Sequence, residues 1–205
     1  MTTNNLRFVE REEKPCTKEE ILVRKKKLRA YMKERRGENE NRDMKATCLA
    51  DNLFQVLDGF DFKDEEKTAF VYLGFSSEAP TDGLIEKLIE RGWKILCPKT
   101  EEREMFAVEY GEDFTLSDYG VREPVGKVFE SAPLISVIPL LAVDKKGNRL
   151  GYGKGYYDKY LKKYPTTKRI GYCFDFQIVN EVPCEKDDEK LEIIVTDKRI
   201  LFTDK

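Results

Sequence analysis

The 205-residue sequence contains no histidine. That absence excludes a His-ligated zinc site and any Ser–His or Cys–His nucleophile, because both chemistries need an imidazole. It leaves carboxylates as the protein ligands for any hard cation. The five cysteines (Cys16, Cys48, Cys97, Cys173, Cys184) are odd in number, scattered, and never spaced C-x-x-C. They offer neither a disulfide framework nor a zinc ribbon, and predict reduced thiols in a cytoplasmic protein. No run is long and apolar enough to span a bilayer, and MTTNNLRFVE lacks the apolar core of a signal peptide. Although 37% of residues are charged, the net charge is only −2, so no global field attracts nucleic acid or an acidic membrane. Any anion site must therefore be local. Internal repeats and low-complexity tracts are also missing.

What is present fits a globular chain large enough to bury roughly 70% of its unfolded surface. Residues 1–16 read as a polar, loose extension, and 17–205 as a single domain. Thr17 and Glu20 form a capping box that opens a helix. Ile21, Leu28, Tyr31 and Met32 give it an apolar stripe, and Gly37 ends it. Within it, KKKLR places Lys25 and Arg29 four apart on one face. Such a pair either clamps a polyphosphate or belongs to a solvated basic face. A second helix is expected from Asp43 to Leu57.

The run TAFVYL (Thr68–Leu73) is short and continuously apolar, as in a strand buried on both faces. A helix capped by Thr81 and ended by Gly92 follows, then the strand WKILC (Trp93–Cys97). This is a βαβ unit, hence an α/β fold whose parallel sheet is covered on both faces. Ligands in such sheets bind beyond the C-terminal strand ends, where Leu73, Phe75 and Glu78 fall. Glu78 either accepts hydrogen bonds from a ligand's N–H groups or is an ordinary surface carboxylate. Met105–Tyr110 reads as an edge strand, and DYGVREP as a turn carrying Tyr119, Arg122 and Glu123. LISVIPLLAV (Leu134–Val143) is the most apolar run, and Pro139 forces a strand end or a bulge within it. Further strands are expected at Arg169–Phe174, Ile193–Thr196 and Arg199–Phe202, with an acidic loop, Glu185–Lys190, holding Asp187 and Asp188.

The most informative stretch is DKKGNRLGYGKGYYDKYL, Asp144–Leu161. It lies between the apolar run ending at Val143 and a helical pattern starting near Tyr156. Gly147, Gly151, Gly153 and Gly155 alternate with Arg149 and Lys154. Backbone amides, a helix N-terminus and two cations together favour an anion such as phosphate. A plain glycine-rich turn with solvated charges is the simpler alternative. The Walker A pattern fails, since Lys154 is followed by glycine; GxGxxG fails because the spacing here is GxGxG.

PLLAVDKKGNRLGYGKGYYDKYL resembles the signature of the 5-formyltetrahydrofolate cyclo-ligase family, and KKKLR, YLGFSSEAPT and VPCEKDDEKLEIIVTD are similar to its other elements, in the same order. The resemblance runs from about residue 21 to the C-terminus. It implies a three-layer α/β/α sandwich with a mainly parallel sheet, and ATP- and magnesium-dependent closure of 5-formyltetrahydrofolate to 5,10-methenyltetrahydrofolate. By the same resemblance, ATP would meet Lys25, Lys26, Lys27, Leu28 and Arg29, and also Arg149, Leu150, Gly151, Tyr152, Gly153, Lys154, Gly155, Tyr156 and Tyr157. Arg149 and Lys154 would stabilise the transferred phosphoryl group. The folate would meet Leu73, Glu78, Tyr119 and the Tyr152–Tyr156 segment, and Asp158 and Asp188 would hold Mg²⁺. Tyr119 stands where some members carry tryptophan, and Asp187 where many carry histidine. Small molecules are the expected partners, without nucleic acid or membrane, and the expected state is a monomer. Two other readings of the loop are a sugar-phosphate isomerase or acyl-transferase relative, and a nucleotide- or RNA-binding module without chemistry.

Overall fold

The computed structural model describes residues 17–62 and 66–203; the expected extension, 1–16, lies outside them. Helix α1 (Lys18–Gly37) and helix α2 (Arg42–Asp58) precede strand β1 (Thr68–Val71), and helix α3 (Asp82–Glu90) leads to β2 (Lys94–Glu101). Strands β3 (Glu104–Glu109), β4 (Phe114–Leu116), β5 (Arg122–Pro124) and β6 (Val128–Phe129) follow. Then come β7 (Ile135–Ile138), β8 (Ala142–Asp144), β9 (Arg149–Leu150) and helix α4 (Tyr156–Lys163). Strands β10 (Lys168–Tyr172), β11 (Ile178–Val179), β12 (Ile193–Val195) and β13 (Ile200–Phe202) complete the order. No helix among the described residues is long and apolar enough to cross a membrane.

The main sheet runs β13-β12-β10-β7-β1-β2-β3-β6. Its five middle strands, β12 to β2, are parallel, with antiparallel strands added at both ends. Alternation along β1 shows why its sequence is uniformly apolar. Ala69 and Val71 join the core under α2 and α3, whereas Phe70 points to the opposite face. There it stacks on Tyr160 of α4, ring centroids 4.3 Å apart, a pairing worth about 0.5–1.5 kcal/mol beyond area burial. Three layers result, α2 and α3 on one face and α4 on the other, as the resemblance implied. The expected edge strand at Met105–Tyr110 is β3, but β6 pairs outside it, so it is not the edge.

Helix α1 begins at the expected capping box. Thr17 Oγ1 accepts from the Glu20 amide at 3.2 Å, and Glu20 Oε2 accepts from the Thr17 amide at 2.7 Å. The expected apolar stripe needs correction, because Tyr31 is 52% exposed. The inward face is instead Lys25, Arg29, Met32 and Arg36, spaced i, i+4, i+7 and i+11. Met32 clusters with Ala142 and Leu150 of a small β11-β8-β9 sheet and with Leu141 and Val182 beside it. Thr81 also differs from expectation. It precedes α3, but its hydroxyl makes no cap; it donates to the Tyr72 carbonyl at 2.7 Å and accepts from the Gly74 amide at 3.0 Å.

Pro139 ends β7, and the chain does not run straight into the glycine loop. A β8–β9 hairpin intervenes, and Gly147 (φ +80°) belongs to its turn, close against the Leu191 carbonyl. The expected cradle is thus shorter, Gly151 to Gly155. Asp144 fixes this hairpin. It is buried and accepts from the amides of Lys146, Asn148 and Val182 and from Asn148 Nδ2, all at 2.9–3.0 Å. Asp144→Ala strands four donors, so a loss of about 3 kcal/mol is expected. Urea unfolding will register it as a lower midpoint with an unchanged slope.

Candidate active site

The strand order places a ligand site between β1 and β7. From β1 the chain moves through α3 to β2 on one side, and later through α4 from β7 to β10 on the other. Right-handed crossovers in opposite directions put the connecting helices on opposite faces and open a crevice at the C-terminal strand ends. A cleft of about 620 Å³ lies there, reached by Leu73 after β1 and Pro139 after β7.

One wall carries the cations of α1. Lys25, only 4% exposed, donates to Asp188 at 2.6 Å and to Glu185 at 2.9 Å in the acidic loop. Burial works against its charge, but hydrogen bonds to Asp188 and Glu185 outweigh it and hold the ammonium pKa above 10.5. Arg29 Nε donates to the Gly151 carbonyl at 2.9 Å. Its guanidinium also lies where a Cβ on Gly153 would come, 3.2 Å away, and Gly153 adopts φ +98°. Glycine is required there on both counts. Lys26 and Lys27 are exposed and do not line the cleft, and Leu28 packs beneath the helix. Of the basic run, the structure brings only Lys25 and Arg29 to the site.

The glycine loop forms the floor. Arg149 is buried and pairs with Asp158 of α4 at 2.8 Å; its Nε has no hydrogen-bond partner among the described residues. Asp158 also accepts from the Glu189 amide at 3.2 Å, so it stands beside the loop bearing Asp188. Lys154 reaches over the Tyr119 ring, 5.2 Å from its centroid, and forms no ion pair among the described residues. Leu150, Gly151, Tyr152, Gly153, Gly155, Tyr156 and Tyr157 all line the cleft. Asp187 does not; it pairs at the surface with Lys162. The described residues contain no group of three or more acidic or thiol side chains able to hold a metal. Of the carboxylates that line the cleft, the expected pair Asp158 and Asp188 are each already beside a cation, Arg149 and Lys25.

The opposite wall is Leu73, Phe75, Glu78 and Tyr119. Glu78 is no surface carboxylate; it is buried at 8% exposure. Its Oε2 accepts from the Phe75 amide at 3.0 Å. Burial raises its pKa above 4.5, against hydrogen bonds from Phe75 and the Tyr152 hydroxyl and the charges of Arg36 and Arg42. The Tyr152 hydroxyl in turn is pushed up to about 12, by burial first and by Glu78 next. Glu123, also buried, accepts from the Thr100 amide at 3.0 Å and its hydroxyl at 2.6 Å.

Sequence reasoning missed Arg36. At 3% exposure, it donates to the Tyr152 hydroxyl at 2.5 Å, Ser77 Oγ at 3.2 Å and the Leu140 carbonyl at 3.3 Å. The available signal was its spacing, eleven residues beyond Lys25 and seven beyond Arg29 on the same helical face. Removing the other buried cation of α1, Lys25, has a defined pH signature. Lys25 has a raised pKa, so its contribution is complete below about 10.5 and is lost as pH rises through the higher folded value. Lys25→Met is expected to cost about 3 kcal/mol at neutral pH. The gap to wild type, measured by urea unfolding, should close as pH is raised through that window.

Known proteins resemble this chain in sequence and in fold. The family model for 5-formyltetrahydrofolate cyclo-ligases matches residues 21–197. A probable 5-formyltetrahydrofolate cyclo-ligase of Schizosaccharomyces pombe is 31% identical over 66% of this chain and 77% of its own length. One from Caenorhabditis elegans is 29% identical over 87% of this chain and 95% of its own. The Escherichia coli K12 enzyme is 30% identical over 65% and 79%. In fold, the NMR structure of Aquifex aeolicus 5,10-methenyltetrahydrofolate synthetase superposes with a TM-score of 0.72 at 22% identity, covering 88% of this chain and 93% of that one. The Mycoplasma pneumoniae synthetase gives 0.69 at 23% identity, over 84% and 98%. With its glycine loop, basic helix and acidic loop gathered at one cleft, the chain belongs to the 5-formyltetrahydrofolate cyclo-ligase family.

Proposed function

We propose that this chain closes 5-formyltetrahydrofolate to 5,10-methenyltetrahydrofolate with conversion of ATP to ADP and phosphate, acting as a monomer whose site is built from one chain. The observation carrying the reading is that the Gly151–Gly155 loop and the Leu73–Glu78 segment face each other across the same cleft. A formyl oxygen is a poor leaving group, so it first attacks the terminal phosphorus of ATP and ADP departs. The N10 nitrogen then attacks the activated formyl carbon, phosphate leaves with the former formyl oxygen, and N10 gives up its proton to water. Neither step needs a strong protein acid or base, which suits a chain without histidine.

What the chain supplies is placement and charge. Glycine-loop amides, Arg149 and Lys154 meet the phosphates, and Lys25 and Arg29 approach from α1. Lys154, unpaired among the described residues, is free to follow the transferring phosphoryl group. Asp158 and Asp188 fit a magnesium ion that arrives on the nucleotide, since magnesium keeps most of its shell from water and phosphate and takes one or two carboxylates. Bound there, the ion would neutralise phosphate charge. Glu78 accepts hydrogen bonds from ring and amino N–H groups of the folate, and Phe75 and Tyr119 supply flat contact surface.

Protein, Mg-ATP and 5-formyltetrahydrofolate should develop the ultraviolet band of the methenyl product, and no ATP-dependent signal would refute the reading. Lys154→Ala is expected to lower kcat/KM for ATP about 10²–10³-fold, the scale of removing one preorganised donor to a developing charge. Near-normal turnover with unchanged ATP affinity would remove Lys154 from the mechanism.

A further inference from the structure

The carboxylates that line the cleft are of two kinds. Asp158 is paired with Arg149, and Glu185 and Asp188 with Lys25. Glu78 and Glu123 form no ion pair among the described residues, although both are buried. A buried carboxylate without a cation is costly unless hydrogen bonds compensate it. Arg122, beside Glu123 in β5, is turned to Asp82 instead. Glu123 is 7% exposed, and the reaction described above leaves it unused.

The sheet decides where this carboxylate stands. Strand β1 ends at Val71, while β2 continues to Glu101. In the register that sets Phe70 opposite Leu96, residues from Pro98 onward pass beyond the end of β1. The Lys94 amide donates to the Lys67 carbonyl on the β1 side at 2.7 Å, whereas the Ile95 carbonyl faces Tyr110 on the β3 side. Backbone groups alternate between the two edges of a strand, and the pairing of β2 with β3 is unbroken through Glu101. The Thr100 amide therefore points to the β1 side, where no strand is left to receive it. Glu123 Oε1 receives it at 3.0 Å, together with the Thr100 hydroxyl at 2.6 Å. The carboxylate thus stands in the continuation of β1, at the strand end where the crevice opens. Capping Thr100 needs only one neutral oxygen and accounts for Oε1 alone. Oε2 accepts nothing among the described residues and is not sealed from solvent; the open space beside Glu123 is the cleft.

We propose that Glu123 is a specificity-determining residue whose Oε1 is fixed by Thr100 and whose Oε2 accepts an N–H of the reduced pterin ring of the folate, an assignment that rests on the cyclo-ligase reading. That ring carries an amino group and N–H donors on more than one edge, more than Glu78 alone can meet. Glu123 shares its wall with Glu78 and with Tyr119, which lies in the turn of the same β4–β5 hairpin. The anionic phosphates of a nucleotide are drawn instead to the cations across the cleft.

Glu123→Gln separates the two oxygens. Thr100 presents an N–H, so the amide oxygen must face it, and the amide nitrogen takes the place of Oε2, putting a donor where an acceptor stood. The strand cap survives and the ligand contact does not. By titration calorimetry without ATP, the Kd for 5-formyltetrahydrofolate should rise about 10–100-fold, the scale of one hydrogen bond to a charged group. The Kd for Mg-ATP and the urea midpoint should be unchanged. Thr100→Val, which removes one of the two donors that hold Oε1, should weaken folate binding in the same selective way but less. Unchanged folate affinity in Glu123→Gln overturns the proposal, as does a loss that falls on Mg-ATP instead, which would place the adenine amino group at Oε2. A lowered urea midpoint with both ligands weakened alike also overturns it, leaving Glu123 a strand cap only. If Glu123→Gln does not fold, Thr100→Val decides by the same comparison. A wild type without ATP-dependent turnover would overturn the cyclo-ligase reading and this assignment together, whereas full folate affinity in Glu123→Gln beside an active wild type would overturn the assignment alone.

Discussion

Helix α1 is fastened to the rest of the protein largely by buried charge. Met32 is its fully buried apolar residue, whereas Lys25, Arg29 and Arg36 each reach a separate segment. Lys25 binds the acidic loop, Arg29 the Gly151 carbonyl, and Arg36 the Tyr152 hydroxyl with its two companions. Charge taken from water is tolerated only when paired and hydrogen-bonded. Docking the helix and assembling the cleft are consequently one event. The residues that would receive polyphosphate are the same ones that hold the walls together before any ligand arrives.

The sheet decides where those charges meet. Opposite directions of strand addition from β1 and β7 leave a gap above the strand ends, and Pro139 stops β7 at its edge. The β8–β9 hairpin, pinned by Asp144, then carries the chain back beneath α1 and delivers Gly151–Gly155 to the gap. Helix α4 follows at once, and its core residues Tyr160 and Leu161 anchor it against Phe70. Asp158 in its first turn is thereby held beside Arg149. The rigid layers fix the backbone, and the charged side chains finish the site.

Much of this was legible in the sequence, for identifiable reasons. Strands buried on both faces read as continuous apolar runs, so β1, β2 and β7 stood out. The capping box of α1 is a purely local interaction, and it appears where Thr17 and Glu20 predict it. The GYGKGYYD stretch carried the family. What was not legible depends on distant partners. A stripe rule assigns lysine and arginine to water, and the acceptors that bury Lys25 and Arg36 lie 41 to 163 residues away, where no local pattern reveals them. Tyr31 looked apolar enough to be buried, but the face it would need is occupied by cations. Gly147 seemed part of the cradle because nothing local distinguishes a hairpin turn from a ligand loop. Thr81 seemed a helix cap, yet its hydroxyl spans Tyr72 and Gly74 instead.

If charge both docks α1 and forms the nucleotide wall, the helix should be looser than the core until a polyanion completes it. Native-state hydrogen exchange measures this residue by residue. The account predicts that amides of Lys25–Arg36 open at a free energy below that of β1 and β7 in the free protein. At Mg-ATP near a hundred times its Kd, that opening energy should rise by about 2.7 kcal/mol. Helix amides that already exchange only through global unfolding, and gain nothing from Mg-ATP beyond what the whole protein gains, would contradict it.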